Sequence, residues 1–262
     1  MSGDPVLDVT ELSVAYGDRT VSTIPALTVA PGEVVAIVGE SGSGKSTALM
    51  AILGLLGGTA ARVEGSVRVL GTEVVGASEK ALRPLRGSRM ALVMQSPQAS
   101  LNPTMRLGRL LRRALKRHGV PAAEAEARIA DATRAVGLDE ALLQRFPHQV
   151  SGGQAQRFAI ALAVCLGAEL IAADEPTSAL DATVQLDVLA LVRRLAEERG
   201  AAWLVVAHDL ALVSMIADHV LVMRDGEVVE SGPARTVLAD PRHEYTRALL
   251  AASPTLPTGG AR

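Results

Sequence analysis

Gly39-Glu40-Ser41-Gly42-Ser43-Gly44-Lys45-Ser46-Thr47 is a glycine-spaced run that closes on a lysine and two hydroxyls. It fits G-x-x-x-x-G-K-[ST], in which backbone N–H groups curl around a polyphosphate and a side chain at the glycines would block the approach. In that geometry Lys45 reaches the terminal phosphates and Ser46 offers its hydroxyl to a divalent cation. A second candidate is Asp174-Glu175, which ends the apolar run 170–173. A carboxylate at such a strand end holds Mg2+ in phosphate-loop ATPases, and Glu175, one step on, can polarise an attacking water. A third is Val150-Ser151-Gly152-Gly153-Gln154, ahead of a helical apolar pattern. Ser151 is a natural N-cap there, and two glycines leave N–H groups uncovered for an anion. An ordinary capped loop is the simpler reading of that segment in isolation.

Elements must bring these residues together. Residues 34–38 are a continuous apolar run, as in a strand buried on both faces. An apolar helix from 45 to about 56 follows the glycine-rich turn, so the helix N-terminus faces the same anion. Residues 6–30 alternate apolar and polar around Gly17-Asp18, which reads as short antiparallel strands, and 65–75 reads as another edge hairpin. Further strands are expected at 90–94, 170–173, 203–207 and 220–224, with helices at 182–199 and 210–217. Asp225-Gly226 signals a hairpin. Strands alternating with helices imply a mostly parallel sheet. Residues 96–166 carry only helical patterning, with Leu107, Leu110, Leu111, Ala114 and Leu115 on one face and Arg106, Arg109, Arg113 and Lys116 on another. That basic stripe reads as a solvated face before it reads as a surface for a permease or anionic lipid. The expected division is a core of 1–95 plus 167–235 with an antiparallel β part, a helical insertion at 96–166, and a helix and tail at 236–262 whose last residues, 254–262, should fray.

Bulk properties narrow the class. A formal net charge of −2 and 2% aromatics point away from a nucleic-acid partner. The single cysteine, Cys165, lies in an apolar run and reads as a buried hydrophobe. The first residues have no signal-peptide pattern, and no apolar stretch reaches about 18 residues. A cytosolic chain that meets a membrane only through partner subunits is expected. His118, His148, His219 and His243 fall in no chemical pattern of their own and are read as structural.

Taken jointly, these motifs resemble the ATPases of ATP-binding-cassette (ABC) transporters. That family carries a phosphate loop, a glutamine loop, an L-S-G-G-Q signature, an Asp-Glu strand end, an S-A-L-D segment and a switch histidine in this order. Here they are residues 39–47, Gln95, residues 150–154, Asp174-Glu175, Ser178-Ala179-Leu180-Asp181 and His208. Val150 replaces the leucine, apolar for apolar. The resemblance implies a RecA-like phosphate-loop fold of α/β class with an inserted helical subdomain, and ATP and Mg2+ as ligands. It implies that Tyr16 stacks on adenine, that Gln95 touches Mg2+ and the attacking water, that Glu175 is the general base and that His208 holds the γ-phosphate. Asp174 and Ser46 would hold Mg2+. Ser151 and Gly153, with Gly152 and Gln154, would contact ATP held by a second ATPase subunit, with Asp181 at the seam.

Two further stretches narrow the resemblance. Gln95-Ser96-Pro97-Gln98-Ala99-Ser100-Leu101-Asn102-Pro103 is similar to the Q-x-P-x-x-S-L-N-P of the oligopeptide, dipeptide and nickel importer ATPases. His243-Glu244-Tyr245-Thr246-Arg247-Ala248-Leu249-Leu250 is similar to their H-P-Y-T-R-x-L-L, with Glu244 in place of proline. The resemblance implies two permease subunits, an external solute-binding protein met indirectly, and a place at the cytoplasmic face of the cell membrane. It implies an importer for peptides or for nickel and metal chelates. A non-transport ABC ATPase of DNA repair or translation is the alternative; it lacks support from a second cassette, a long coiled coil or a basic footprint. A catalytically dead partner subunit is disfavoured by Lys45, Gln95, Glu175 and His208.

Overall fold

The computed structural model describes residues 4–252. The tail expected to fray, 254–262, lies outside them. In chain order the strands are β1 (Leu7–Tyr16), β2 (Arg19–Val29), β3 (Val34–Val38), β4 (Ala61–Val69), β5 (Thr72–Glu73), β6 (Met90–Val93), β7 (Leu170–Asp174), β8 (Ala202–Ala207), β9 (His219–Arg224) and β10 (Glu227–Pro233). The helices are α1 (Lys45–Ile52), α2 (Glu79–Leu82), α3 (Pro97–Ser100), α4 (Leu107–Arg117), α5 (Ala122–Ala135), α6 (Gly152–Leu166), α7 (Ala182–Arg199), α8 (Leu210–Val213), α9 (Ala234–Ala239) and α10 (Glu244–Ala252).

All these strands share one sheet in the order β5-β4-β1-β2-β10-β9-β3-β8-β7-β6. β6, β7, β8, β3 and β9 run parallel, whereas β5, β4, β1 and β2 pair antiparallel. The two regions meet at β10, which pairs antiparallel with β9 and touches β2 in parallel at Glu227 and Thr23. The parallel strands are apolar in their interiors because both faces are covered. Val34, Ala36 and Val38 face a cluster built with α4 to α7, while Val35 and Ile37 face one built with α1 and β1, β2 and β4. Trp203 and Val205 on β8 repeat the first direction, Leu204 and Val206 the second.

The stretch from Pro97 to Leu166 is helical among the described residues, apart from turns and two 3-10 segments. Leu107, Leu111 and Leu115 are fully buried, while Arg106, Arg109, Arg113 and Lys116 are exposed. The Arg106 guanidinium lies 5.7 Å from the Phe146 ring centre. Cys165 is buried, and burial pushes its thiol pKa up to about 11.

Some boundaries differ from the sequence reading. α1 ends at Ile52 rather than near 56, because Gly54 takes φ +63 and its N–H returns to the Ala51 carbonyl, closing the helix with a left-handed turn. β4 begins at Ala61, since its pairing with β1 runs on to Tyr16 through a bulge beside Gly65. α8 ends at Val213, short of the expected 217. The chain must turn there to bring Asp218 to β3, where its N–H donates to the Val34 carbonyl at 2.8 Å and its carboxylate accepts from the Val34 N–H at 2.9 Å.

Candidate active site

Parallel strands point their carboxyl ends to one edge, and that edge gathers residues far apart in sequence. β3 delivers the 39–47 loop, β6 delivers Gln95, β7 delivers Asp174 and Glu175, β8 delivers His208, and β9 delivers the Asp225-Gly226 turn. A cleft of about 420 Å³ opens there, lined by Ser41, Gly42, Gly44, Lys45, Ser46, Thr47 and Glu175 on one side. The start of β2 closes it with Arg19, Thr20 and Val21, and the turn after β9 with Asp225 and Gly226.

The loop is held in shape by its own backbone and by that β9 turn. Gly226 donates its N–H to the Ser43 carbonyl at 3.1 Å, and its carbonyl accepts from Thr23 at 2.6 Å. Gly44 caps α1 at φ +97, a left-handed conformation, and a Cβ there would run into the Val21 carbonyl. Lys45 is only 4% exposed, and its ammonium donates to the carbonyls of Gly39 at 2.8 Å and Glu40 at 2.7 Å. Burial lowers its pKa, and the carboxylates of Glu175, Asp174 and Glu40 pull it back up. Ser43 is buried within the loop, and Thr47 is half-buried.

Across the cleft, the Ser46 hydroxyl donates to Asp174 Oδ1 at 3.0 Å. Burial at the end of β7 raises the Asp174 pKa, the Ser46 hydrogen bond lowers it, and the neighbouring Glu175 charge adds to the rise. Glu175 sits at φ 45, a left-handed backbone that costs a residue with a Cβ about 1–2 kcal/mol. Three bonds hold it there: its N–H donates to the Val206 carbonyl at 2.9 Å, and its own carbonyl accepts from the Ser178 N–H at 3.3 Å and hydroxyl at 3.1 Å. Such strain persists only where the surroundings over-determine it. The Glu175 carboxylate meets His208 Nδ1 at 3.6 Å and Gln95 Nε2 at 3.3 Å. Gln95 Nε2 also donates to the Ser178 hydroxyl at 2.9 Å.

The remaining site candidates stand elsewhere. Ser151 caps α6, its Oγ accepting from the Gln154 N–H at 3.3 Å while Gln154 Oε1 accepts from the Ser151 N–H at 3.0 Å. Ser151, Gly152 and Gln154 are exposed, Gly153 is half-buried, and none lines the cleft. Gly153 is required by contact: a Cβ would come 2.6 Å from Val184 Cγ1 of α7. Asp181 caps that helix by accepting from the Val184 N–H at 3.1 Å. Tyr16 is 40% exposed and does not line the cleft, but it pairs with Arg19, which does.

Arg19, Thr20, Val21, Asp225, Gly226 and Ser178 escaped the sequence reading as site residues. Gly17-Asp18 and Asp225-Gly226 were legible as turns, but nothing local says that both close over a loop beginning at residue 39.

A buried ammonium hydrogen-bonded to loop carbonyls, at a helix start opposite a hydroxyl–carboxylate pair, is built for a triphosphate. The class is that of the phosphate-loop nucleotide hydrolases. The family model described as ABC transporter matches residues 24–178. The chain is 42% identical over 258 residues to the probable D,D-dipeptide transport ATP-binding protein DdpD of Escherichia coli, covering 95% of this chain and 79% of that one. It is 36% identical over 266 residues to the oligopeptide transport ATP-binding protein OppD of Lactococcus lactis, with 98% and 78% covered. Among solved structures, CbiO1 from Clostridium perfringens, part of the ABC transporter complex CbiONQ, gives a TM-score of 0.81 at 27% identity, covering 91% of this chain and 92% of that one. The ATP-binding cassette MJ0796, dimeric in a post-hydrolysis state bound to ADP and Pi, gives 0.75 at 28% identity, with 87% and 99% covered. The chain belongs to the ABC transporter family, and it is an ATP-binding, ATP-hydrolysing transport subunit.

Proposed function

We propose that this chain drives a peptide importer and hydrolyses ATP in a site shared between two ATPase subunits. The observation that carries the shared site is the exposed, glycine-flanked start of α6, separate from the cleft. One chain thus has two phosphate-binding surfaces, and the second suits the γ-phosphate of ATP held by a mate. That the MJ0796 cassette is dimeric with ADP and Pi bound supports pairing of two such subunits.

In this reading residues 39–47 hold the α-, β- and γ-phosphates through backbone N–H groups, with Lys45 on the β- and γ-phosphates. Tyr16 packs on adenine at the cleft's β1 side. Glu175 accepts the proton of the attacking water, and Gln95 and His208 keep its carboxylate aimed. Ser46 and Asp174 suit Mg2+, a hard cation that takes oxygen donors. No group of three or more His, Cys, Asp or Glu is gathered to hold a metal among the described residues, which fits a cation held by few side chains together with phosphates. When bound, Mg2+ neutralises charge that develops on the transferred phosphoryl group.

Closure of two such chains around ATP, and reopening after hydrolysis, would move the permease subunits docked on the helical region 96–166. The division into a core of 1–95 plus 167–235 and that helical region is proposed on the same footing. No helix among the described residues is long and apolar enough to cross a membrane, which is compatible with a peripheral subunit on the cytoplasmic face. The names of the E. coli and L. lactis relatives support peptides as cargo. Copurification with the permeases, followed by ATPase assays with the binding protein and either short peptides or nickel chelates, tests it. Stimulation by peptides is expected. Stimulation by the chelates alone would move the cargo to metal complexes, and failure to recover any permease would sink the transport reading.

A further inference from the structure

We infer that Tyr245 is a positioning residue for ATP binding, its hydroxyl fixing the Gly39–Glu40 peptide of the phosphate loop and through it Lys45. The Glu40 N–H donates to Tyr245 Oη at 2.9 Å, across 205 residues of sequence. The Gly39 carbonyl, the other half of the same peptide unit, accepts from Lys45 Nζ at 2.8 Å. One peptide plane is therefore gripped at both ends, and hydrogen bonds linked through an amide strengthen each other. Lys45 takes its second carbonyl, that of Glu40, at 2.7 Å. Rotation of this unit would move the Gly39 carbonyl, one of the two carbonyls that hold the ammonium in the cleft.

Tyr245 is itself firmly placed. It is buried at 6% exposure on α10, with the Arg224 guanidinium 5.2 Å from its ring centre. The chain entering α10 is tied to β10, because the Glu230 carboxylate accepts from the N–H groups of Arg242 at 2.8 Å and His243 at 3.0 Å. The Tyr245 N–H then donates to His243 Nδ1 at 3.1 Å. Burial raises the phenol pKa, and the hydroxyl oxygen accepts from Glu40. Phenylalanine would keep the ring and its contact with Arg224, yet leave the Glu40 N–H without this acceptor.

The inference rests on the role proposed for Lys45, and three variants of the full chain separate the two. Tyr245→Phe should raise the KM for ATP about tenfold, as loss of one well-made hydrogen bond allows, with kcat within about twofold. Its Tm should fall by no more than roughly 2–4 °C, as about 1 kcal/mol allows in a chain of this size. Leu249→Ala, on the same helix and buried in the core, should lower Tm and leave KM within about twofold. A rise below about threefold in Tyr245→Phe overturns the inference, as does an equal rise in Leu249→Ala, which would make helix packing the cause. Lys45→Ala should abolish tight ATP binding. Unchanged affinity there would remove the Lys45 role and this inference with it, whereas loss in Lys45→Ala beside an unaffected Tyr245→Phe rejects only the inference.

Discussion

Asp174 is bound by the fold at a cost. Burial holds its pKa above the ordinary aspartate value, so the folded protein keeps this proton more tightly than the unfolded chain does. The stability it contributes is complete below the unfolded pKa and is lost as pH rises through the raised, folded one. Once ionised, the carboxylate is therefore a liability until a cation arrives. Asp174→Asn keeps an acceptor for the Ser46 hydroxyl and removes the charge. The variant should melt higher than the wild type without nucleotide at pH 7, with the gap narrowing toward about pH 4, while Mg2+-dependent hydrolysis is lost. Thermal melts across that pH range check it, and a variant that melts lower at neutral pH contradicts the burial argument. Its place at the end of a buried strand was legible, since an apolar run leads into Asp-Glu. Its pairing with Ser46, 128 positions away, was not.

At the scale of the element, the shared site proposed above would put two demands on the first turn of α6. Ser151 caps the helix, and the same turn would have to stay open to a phosphate. Ser151→Asp separates them, because aspartate caps as well as serine and suits the positive helix end. We expect its Tm to match the wild type while ATP-driven pairing of subunits fails, as its carboxylate would meet the incoming γ-phosphate. Ser151→Ala should instead lose about 1 kcal/mol, a drop of roughly 2–4 °C for a chain of this size. If Ser151→Asp still hydrolyses ATP at the wild-type rate, α6 does not face a mate's nucleotide. The cap could be read from Ser-Gly-Gly-Gln alone. That Gly153 must be bare because Val184 of α7 lies against it could not, because the contact belongs to two helices.

For the whole molecule, the sheet sets what closure can do. Glu175 stands where β7, β8 and the Gln95 segment converge, so one carboxylate senses three elements. Replacing it with glutamine keeps the shape and removes the proposed base. Glu175→Gln should cut hydrolysis by about 100-fold or more and hold two chains together around ATP. Size-exclusion chromatography with ATP should then give a species of twice the 27.2 kDa chain mass, and the wild type under the same conditions a smaller share of it. A monomer under those conditions would oppose the shared site.

The sequence by itself determined what is local: the glycine-spaced loop, the acidic strand end, the capped start of α6, and the doubly buried strands of the parallel region. Each depends on residue type at short spacing, where propensity and backbone sterics decide. Tertiary structure alone decided the order of the strands, with β8 and β9 on either side of β3, and so which turns close the cleft. It also set the Tyr245 hydroxyl against the phosphate loop. Those choices follow from packing two apolar faces of one sheet at once, a condition that no window of sequence contains.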